Sequence, residues 1–173
     1  MTLDVDYLGM NLQIDALDHE NRAYFAHCAE HAFHLQCCDG CGLLRYPPGT
    51  GCGWCGSGDY TWTPVEGRGA VHSYTEVVHA IQPAFKAFVP YLVLLVDLDT
   101  QNGQPTPDEA IRVLGNLTNA GGDPAPPEVV ARVGIGSRVR MVFKDVAEGL
   151  ALPQWTIDET AEQPARPWRY PED

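Results

Sequence analysis

Two pairs of cysteines near the start of this 173-residue chain are the residues whose type and spacing predict chemistry. Cys38 and Cys41 form the first Cys-x-x-Cys pair, Cys52 and Cys55 form the second, and a glycine follows each pair. A tight turn with this spacing directs two sulfurs at one ion, and four thiolates suit tetrahedral Zn²⁺ with Zn–S distances of about 2.3 Å. The spacing therefore predicts a four-cysteine metal site with a structural role, although iron accepts the same ligands.

The remaining cysteines fit other roles. Cys37 adjoins Cys38 and competes with it as a ligand, but it would lengthen the first spacing, so we prefer Cys38. Cys28 falls on the apolar stripe of a predicted helix and is interpreted as a small buried hydrophobe. His27 and His31 share the face of that helix, but they lack the glutamate of a zincin motif and no base is paired with a thiol. We therefore predict no catalytic residue in this chain.

The charge balance restricts the possible partners. The formal net charge is −12, from 23 acidic and 11 basic residues. Nucleic-acid binders need a basic surface that displaces phosphate counterions, so this balance argues against a nucleic-acid partner. No apolar run reaches the roughly 18 residues needed to span a bilayer, and the acidic N-terminus lacks the features of a signal peptide. We expect a cytoplasmic chain with no membrane partner, whose cysteines bind metal instead of forming disulfides.

The elements that must position the four cysteines are predicted to be short. A helix begins after Asp18, a plausible N-cap, and residues 33–36 form a strand that leads into the first pair. Residues 43–46 and 60–63 fit two further short strands, each ended by prolines or glycines. A module of this size buries little core, so metal binding supplies much of its folding energy. The residues before Asp18 show no clear period.

Beyond the cysteines, five strands with turns between them predict a small barrel. We expect these strands at residues 69–78, 91–98, 111–118, 138–144 and 150–157. Five strands after a glycine-rich start suit a Greek-key OB-fold barrel, and the apolar second strand is expected to be buried on both faces. The predicted fold is mainly β, with an N-terminal helical segment (1–34), a rubredoxin-like zinc ribbon (35–64), a five-stranded OB-fold barrel (65–157) and a flexible tail (158–173).

This order of elements resembles an acyl-CoA-associated family that pairs a zinc ribbon with an OB-fold and was long catalogued as a domain of unknown function. The resemblance covers about residues 15–157, and it is carried by Phe25 and by residues 35–42, 45–48, 52–55, 69–75 and 90–98. It implies a non-catalytic accessory subunit of a thiolase-type enzyme, either a thiolase or a retro-aldolase acting on CoA thioesters. It also implies a hetero-oligomer, with two copies of each subunit as the expected assembly. The extra Cys37, a polar insertion at residues 102–109 and a longer acidic tail depart from the family pattern.

An apolar loop at residues 79–90 carries the first candidate substrate-binding residues. Phe85 and Phe88 flank Lys86 between two prolines. Loops on a rigid barrel often bind ligands, so we expect the rings to contact an acyl chain, pantetheine or a partner, with the lysine near a phosphate or carboxylate. The alternative is that both rings close the end of the barrel as part of its core.

A second candidate is a row of cations on the fourth barrel strand. Arg138, Arg140 and Lys144 fall on one strand face, because residues two apart point the same way. The row is a candidate site for the CoA phosphates or for an acidic patch on the partner, with Arg138 and Arg140 as the main contacts. The alternative is an ordinary solvated strand face.

Two other functions remain open at this stage. A nucleic-acid-binding zinc ribbon with an OB platform would stack bases on aromatic side chains, and the acidic balance weighs against it. A rubredoxin-like electron carrier would hold iron in the four-cysteine site, and its colour would reveal it.

Overall fold

The computed structural model describes residues 3–170, in which ten strands form three sheets. The strands are β1 (Leu3–Tyr7), β2 (Met10–Ile14), β3 (His34–Cys38), β4 (Leu44–Arg45), β5 (Tyr60–Pro64), β6 (Arg68–Val77), β7 (Tyr91–Leu98), β8 (Arg112–Asn116), β9 (Arg138–Ala147) and β10 (Leu150–Ile157). The helices are α1 (His19–Ala29), α2 (Pro127–Val130) and a 3₁₀ helix (Pro83–Phe88). The predicted order of helix, ribbon and five-stranded barrel is therefore confirmed.

The N-terminal segment contains a hairpin as well as the predicted helix. Strands β1 and β2 pair through a two-residue turn, Leu8 and Gly9, which have positive φ angles of 54° and 80°. Two positive φ angles match the twist of a hairpin, but leucine rarely occupies such a position, so this turn could not be recognised from the residue types. Helix α1 starts as predicted, because the Asp18 side chain accepts a hydrogen bond from the Asn21 amide at 3.1 Å.

The four cysteines lie around a three-stranded sheet in the order β4–β3–β5. Cys38 ends β3 opposite Tyr60, and Cys37 pairs with Leu44 of β4. The sheet and the barrel share one hydrophobic cluster, which also contains Tyr24 of α1 and Leu35 of β3. The ribbon is therefore packed on the rest of the fold, because its own core would be too small to support it.

The barrel has the strand order β10–β9–β6–β7–β8 and closes between its two end strands. Leu117, just after β8, forms a parallel bridge with Trp155 of β10, and the Thr118 amide donates to the Trp155 carbonyl at 2.7 Å. Gly115 permits this approach, because a Cβ atom there would lie 2.8 Å from the Trp155 ring. The seam is thus built from a glycine facing a buried tryptophan.

Strand β7 crosses the centre of the barrel and differs from its prediction. Its burial alternates: Leu92, Leu94, Val96 and Leu98 are fully buried, whereas the residues between them are only half-buried. The expectation that both faces are buried was wrong. A barrel strand directs one face at the interior and the other outward, so an apolar run does not require cover on both sides.

The segment after β10 is held against the barrel. The Gln163 side chain donates to the carbonyls of Arg138 and Asp158, both at 2.9 Å, and Trp168 exchanges two backbone hydrogen bonds with Ile135. The sequence predicted a flexible tail from residue 158, whereas residues 158–170 follow the barrel surface. The composition is typical of a loose segment, and the sequence did not reveal these contacts because most of them join residues far apart in the chain.

No helix within residues 3–170 has both the length and the apolar character needed to cross a membrane.

Candidate metal centre and predicted binding residues

The two predicted cysteine pairs converge on one point. The sulfurs of Cys38, Cys41, Cys52 and Cys55, the four-cysteine cluster, all lie within 4.8 Å of one another. Cys38 Sγ is 3.4 Å from Cys55 Sγ, and Cys41 Sγ is 3.7 Å from Cys52 Sγ. A tetrahedral ion with bonds of about 2.3 Å requires sulfur–sulfur edges of about 3.8 Å. The cluster therefore has the size and the donor atoms to hold a metal ion.

The two cysteine turns, or knuckles, have the same backbone geometry. In each, the glycine that follows the second cysteine donates its amide to the carbonyl of the first. These bonds join Gly42 to Cys38 at 2.8 Å and Gly56 to Cys52 at 2.9 Å. Both glycines have positive φ angles, 75° and 77°, which other residues adopt only with strain. The glycines noted in the sequence are thus needed to close each turn.

The first cysteine of each knuckle is buried and prepared to act as a thiolate. The Cys41 amide lowers the pKa of Cys38 by hydrogen bonding to its sulfur. The amides of Cys55 and Trp54 do the same for Cys52 and lower its pKa to about 6. Hydrogen bonds to the charged form favour that form, so these two sulfurs lose their protons readily.

The second cysteine of each knuckle is exposed and holds its proton more firmly. The Leu43 amide lowers the pKa of Cys41, but desolvation and the neighbouring thiols outweigh it and raise the value to about 12. The Ser57 amide likewise fails to offset the neighbouring thiols, mainly Cys38, so the pKa of Cys55 is raised. A metal ion must displace these protons, so its affinity should increase as the pH rises.

The other two cysteines lie apart from the cluster. Cys37 points toward the Gly42 carbonyl, with a sulfur–oxygen distance of 3.4 Å. Cys28 is fully buried in the hydrophobic cluster, and burial raises its pKa to about 12. A thiol in that state is a poor nucleophile, in agreement with its interpretation as a small hydrophobe.

The predicted histidine pair does not share a helix face. His31 lies beyond the end of α1 with a positive φ of 54°, and its Nε2 is 2.8 Å from Asp145 Oδ1. His27 instead stacks on His34, with ring centroids 4.1 Å apart. The prediction failed because the helix ends at Ala29, two residues before the second histidine.

The apolar loop contains the 3₁₀ helix, which lies just before the first residue of β7. The Phe85 and Phe88 side chains are half-buried, and Lys86 is exposed. The Phe85 ring centroid is 5.2 Å from that of Tyr91, and Phe85 lines a small cavity with Tyr7 and other residues. Phe85 therefore contributes to closing the barrel, whereas Lys86 projects into solvent.

Two cations of the β9 row form ion pairs with acids. The pairs are Arg138 with Asp99 and Lys144 with Asp123. Arg138 donates hydrogen bonds to both oxygens of Asp99, and these bonds raise the pKa of Arg138. Because Asp99 follows β7 and Phe85 precedes it, the eight-residue strand separates the two predicted groups by about 25 Å. The structure does not bring the two candidate groups into one site.

Two polar contacts of the ribbon were missed by sequence reasoning. Gln101, just before the predicted polar insertion, is hydrogen-bonded to both the amide and the carbonyl of Leu44, at 2.7 and 3.1 Å. Arg45 and Gln36 form a buried pair behind the knuckles, with Arg45 Nε donating to Gln36 Oε1 at 3.0 Å. For the second contact, the only signal in the sequence was an arginine within a short predicted strand.

Comparisons with known proteins agree with this architecture. Residues 62–144 match the family model described as ChsH2, C-terminal OB-fold domain. Among curated proteins, the chain is 30% identical over 138 residues to a probable enoyl-CoA hydratase alpha subunit of Thermomonospora curvata, covering 80% of this chain and 37% of that protein. The chain thus spans little more than a third of that relative's length.

Among solved structures, the chain is similar to one titled Ltp2-ChsH2(DUF35) aldolase. The TM-score is 0.64 at 28% identity, and the match covers 83% of this chain and 98% of the other. The resemblance inferred from the cysteine segments and barrel strands is thereby confirmed. With its ribbon in front of a segment that matches the ChsH2 C-terminal OB-fold model, this chain is similar in architecture to that aldolase structure.

Proposed function

We propose that this chain is a non-catalytic accessory subunit of a thiolase-type acyl-CoA enzyme, which it stabilises and whose acyl-CoA site it helps to shape. The observation that carries the proposal is the match to nearly the whole of a chain from an aldolase structure whose title names two proteins. The curated relative, named as a subunit of a CoA enzyme, supports the same class of partner.

The chemistry of the described residues also supports an accessory role. Within residues 3–170, the cysteines with a lowered pKa are Cys38 and Cys52, and both belong to the four-cysteine cluster. The buried Cys28 keeps its proton. In this proposal, the nucleophile for acyl transfer or the base for aldol cleavage belongs to the partner.

We propose that the cluster holds a structural zinc ion through Cys38, Cys41, Cys52 and Cys55. The ion, when bound, links the two knuckles and neutralises part of their thiolate charge. Metal analysis of the purified chain should give one zinc per chain and a colourless solution. A coloured protein with one iron per chain would favour the electron-carrier alternative instead.

The exposed Lys86 and the half-buried Phe88 are the proposed contacts with the acyl-CoA or with the partner's pocket. Phe85 is included in this surface, but its packing on Tyr91 makes its truncation a test of folding. The double substitution Lys86→Ala and Phe88→Ala should reduce acyl-CoA turnover by the complex while the subunit keeps its thermal midpoint. Phe85→Ala is the matched variant in which a loss of stability is expected.

Arg138 and Arg140 are proposed contacts with CoA phosphates or with acidic partner residues, and the ion pair of Arg138 with Asp99 determines which substitutions test them. Glutamate at position 138 would face Asp99 and destabilise the barrel, so Arg138→Gln and Arg140→Gln are the better substitutions. Unchanged assembly and unchanged acyl-CoA affinity in both variants would remove these residues from the site. Most basic side chains within residues 3–170 form ion pairs with acids, which weighs against binding to a phosphate backbone and so against the nucleic-acid alternative.

Co-purification from the native host tests the proposed function directly. A thiolase-like protein should elute with this chain during size-exclusion chromatography, in a complex that cleaves or forms carbon–carbon bonds in CoA thioesters. An isolated monomer after mild purification, with no partner detected by mass spectrometry, would overturn the proposal.

The name of the curated relative favours a second candidate, an accessory subunit of an enoyl-CoA hydratase. The two candidates differ in the bond that changes. Hydration removes the conjugated double bond of an enoyl-CoA and its ultraviolet absorption, whereas aldol cleavage releases a shorter acyl-CoA and a carbonyl product. Assaying the purified complex with both substrate types separates them.

A further inference from the structure

Arg45 stands out among the cations of the structure because it is buried. Of the arginines and lysines in residues 3–170, it is the one classed as buried, with 7% of its surface exposed. Its Nη2 atom has no hydrogen-bond partner. No carboxylate of the described residues lies within 4 Å of the guanidinium, although most other cations here have such a partner.

The groups that do surround Arg45 are neutral. Its Nε donates to Gln36 Oε1 at 3.0 Å, and its Nη1 donates to the Ser57 carbonyl at 3.3 Å. The guanidinium lies 4.8 Å from the centre of the Tyr60 ring, a cation–π contact. Partial charges of this kind solvate a buried cation only in part, and an unpaired buried charge is strongly unfavourable. A negative charge nearby is therefore expected.

The neighbours of Arg45 connect it with both knuckles. The Ser57 carbonyl also accepts a hydrogen bond from the Cys52 amide at 2.8 Å, so it belongs to the second knuckle. Tyr60 lies opposite Cys38, the first cysteine of the other knuckle, in the β3–β5 pairing. A divalent ion with four thiolates carries a net charge of −2, so metal loading would place negative charge at the site to which these neighbours connect Arg45.

We propose that Arg45 is the countercharge of the metal-loaded four-cysteine cluster, and that it tunes the metal affinity of the site. The inference rests on the metal binding in the proposed function. The Arg45 guanidinium offsets part of the thiolate charge in the metal-loaded state, and its positive charge is left uncompensated in the metal-free state. Both effects favour the loaded form over the metal-free form.

A purely mechanical role for Arg45 makes a different prediction. Gln36 accepts hydrogen bonds from Arg45 and from the Gly49 amide, at 3.0 and 2.9 Å, so these residues also brace the ribbon. A brace would stabilise loaded and metal-free protein alike. A countercharge acts mainly on the difference between them.

The test compares Arg45→Met, Arg45→Lys and Gln36→Met in the full chain by titrating Co²⁺ and Zn²⁺ against a competing chelator. Arg45→Met removes the charge and should weaken the binding of both metals ten- to hundredfold, the range typical of changed outer-shell partners. Arg45→Lys keeps the charge and should recover most of that loss. Gln36→Met removes the hydrogen bonds to Arg45 and Gly49 but keeps the guanidinium charge, so its loss of affinity should stay well below the ten- to hundredfold range.

Two further measurements distinguish a countercharge from a mechanical brace. The thiolate-to-Co²⁺ charge-transfer band should persist in each variant, and the gap in thermal midpoint between loaded and chelator-treated protein should narrow in Arg45→Met but not in Gln36→Met. Equal affinity for the wild type and Arg45→Met, or equal losses in the lysine and methionine variants, would overturn the countercharge role. A wild type that binds neither metal would instead overturn the proposed metal site.

Discussion

Replacing Gln101 with alanine tests whether one side chain joins the ribbon to the barrel. Gln101 follows β7 in the barrel, whereas Leu44 lies in β4 of the ribbon. The glutamine Oε1 accepts from the Leu44 amide at 2.7 Å, and its Nε2 donates to the Leu44 carbonyl at 3.1 Å. The side chain thus occupies the place that a neighbouring strand would take beside β4.

The expected loss follows from these two hydrogen bonds. Each neutral hydrogen bond contributes about 1 kcal/mol to stability, so Gln101→Ala should reduce the free energy of unfolding by about 2 kcal/mol. A chain of this size changes its thermal midpoint by about 2–4 °C for each kcal/mol, which gives a decrease of about 4–8 °C. Calorimetry and urea unfolding of the metal-loaded protein would measure both quantities.

Two variants serve as controls for the magnitude. Gln101 has a positive φ of 61°, a conformation that costs a non-glycine residue about 1 kcal/mol. Gln101→Gly therefore loses the same bonds but relieves this strain, and its net loss should be only about 1 kcal/mol. Gln104→Ala, in the same loop, should change stability by less than about 0.5 kcal/mol.

Two results would refute this reasoning. One is an alanine variant as stable as the wild type, which would mean that water replaces the glutamine without loss. The other is a glycine variant less stable than the alanine variant, which would mean that backbone freedom outweighs the strain at this position.

Three other substitutions test separate parts of the structure. Cys52→Ala removes one of the four sulfurs and should reduce the bound metal well below one equivalent by elemental analysis; full occupancy would show that another residue completes the site. Gly115→Ala places a Cβ atom 2.8 Å from the Trp155 ring and should cost about 1–3 kcal/mol in urea unfolding; no change would mean that the barrel seam is looser than described. Burial, and then the charge of His34, lower the pKa of His27 from its usual 6.5, so the stability it contributes is present above pH 6.5 and lost as the pH falls through the lowered value. His27→Gln should weaken this acid sensitivity in thermal melts between pH 7 and 5, and an unchanged profile would assign the sensitivity to other groups.

Local spacing made the four-cysteine cluster predictable from the sequence. Two intervening residues and a glycine determine each knuckle, because the hydrogen bonds that close the turn join residues four or five apart. Alternation and β-branched residues likewise revealed the barrel strands, whose existence depends on local backbone preference and on one buried face.

The candidate binding residues were harder to judge because their partners are distant in the chain. Arg138 was recognisable as part of a basic row, but its pairing with Asp99 spans 39 residues and appears only after folding. The tail residues seemed loose because Gln163 and Trp168 find partners as far away in the chain as Arg138 and Ile135.

The chain by itself determined which residues can hold a metal, because the ligands of each knuckle are neighbours and their geometry is local. Only the tertiary structure decided what surrounds that candidate site. Arg45 becomes a buried, unpaired cation, and Gln101 becomes a bridge to the barrel over 57 residues, through the packing of distant segments. Burial and charge compensation depend on every segment that packs around a group, so no short stretch of sequence records them.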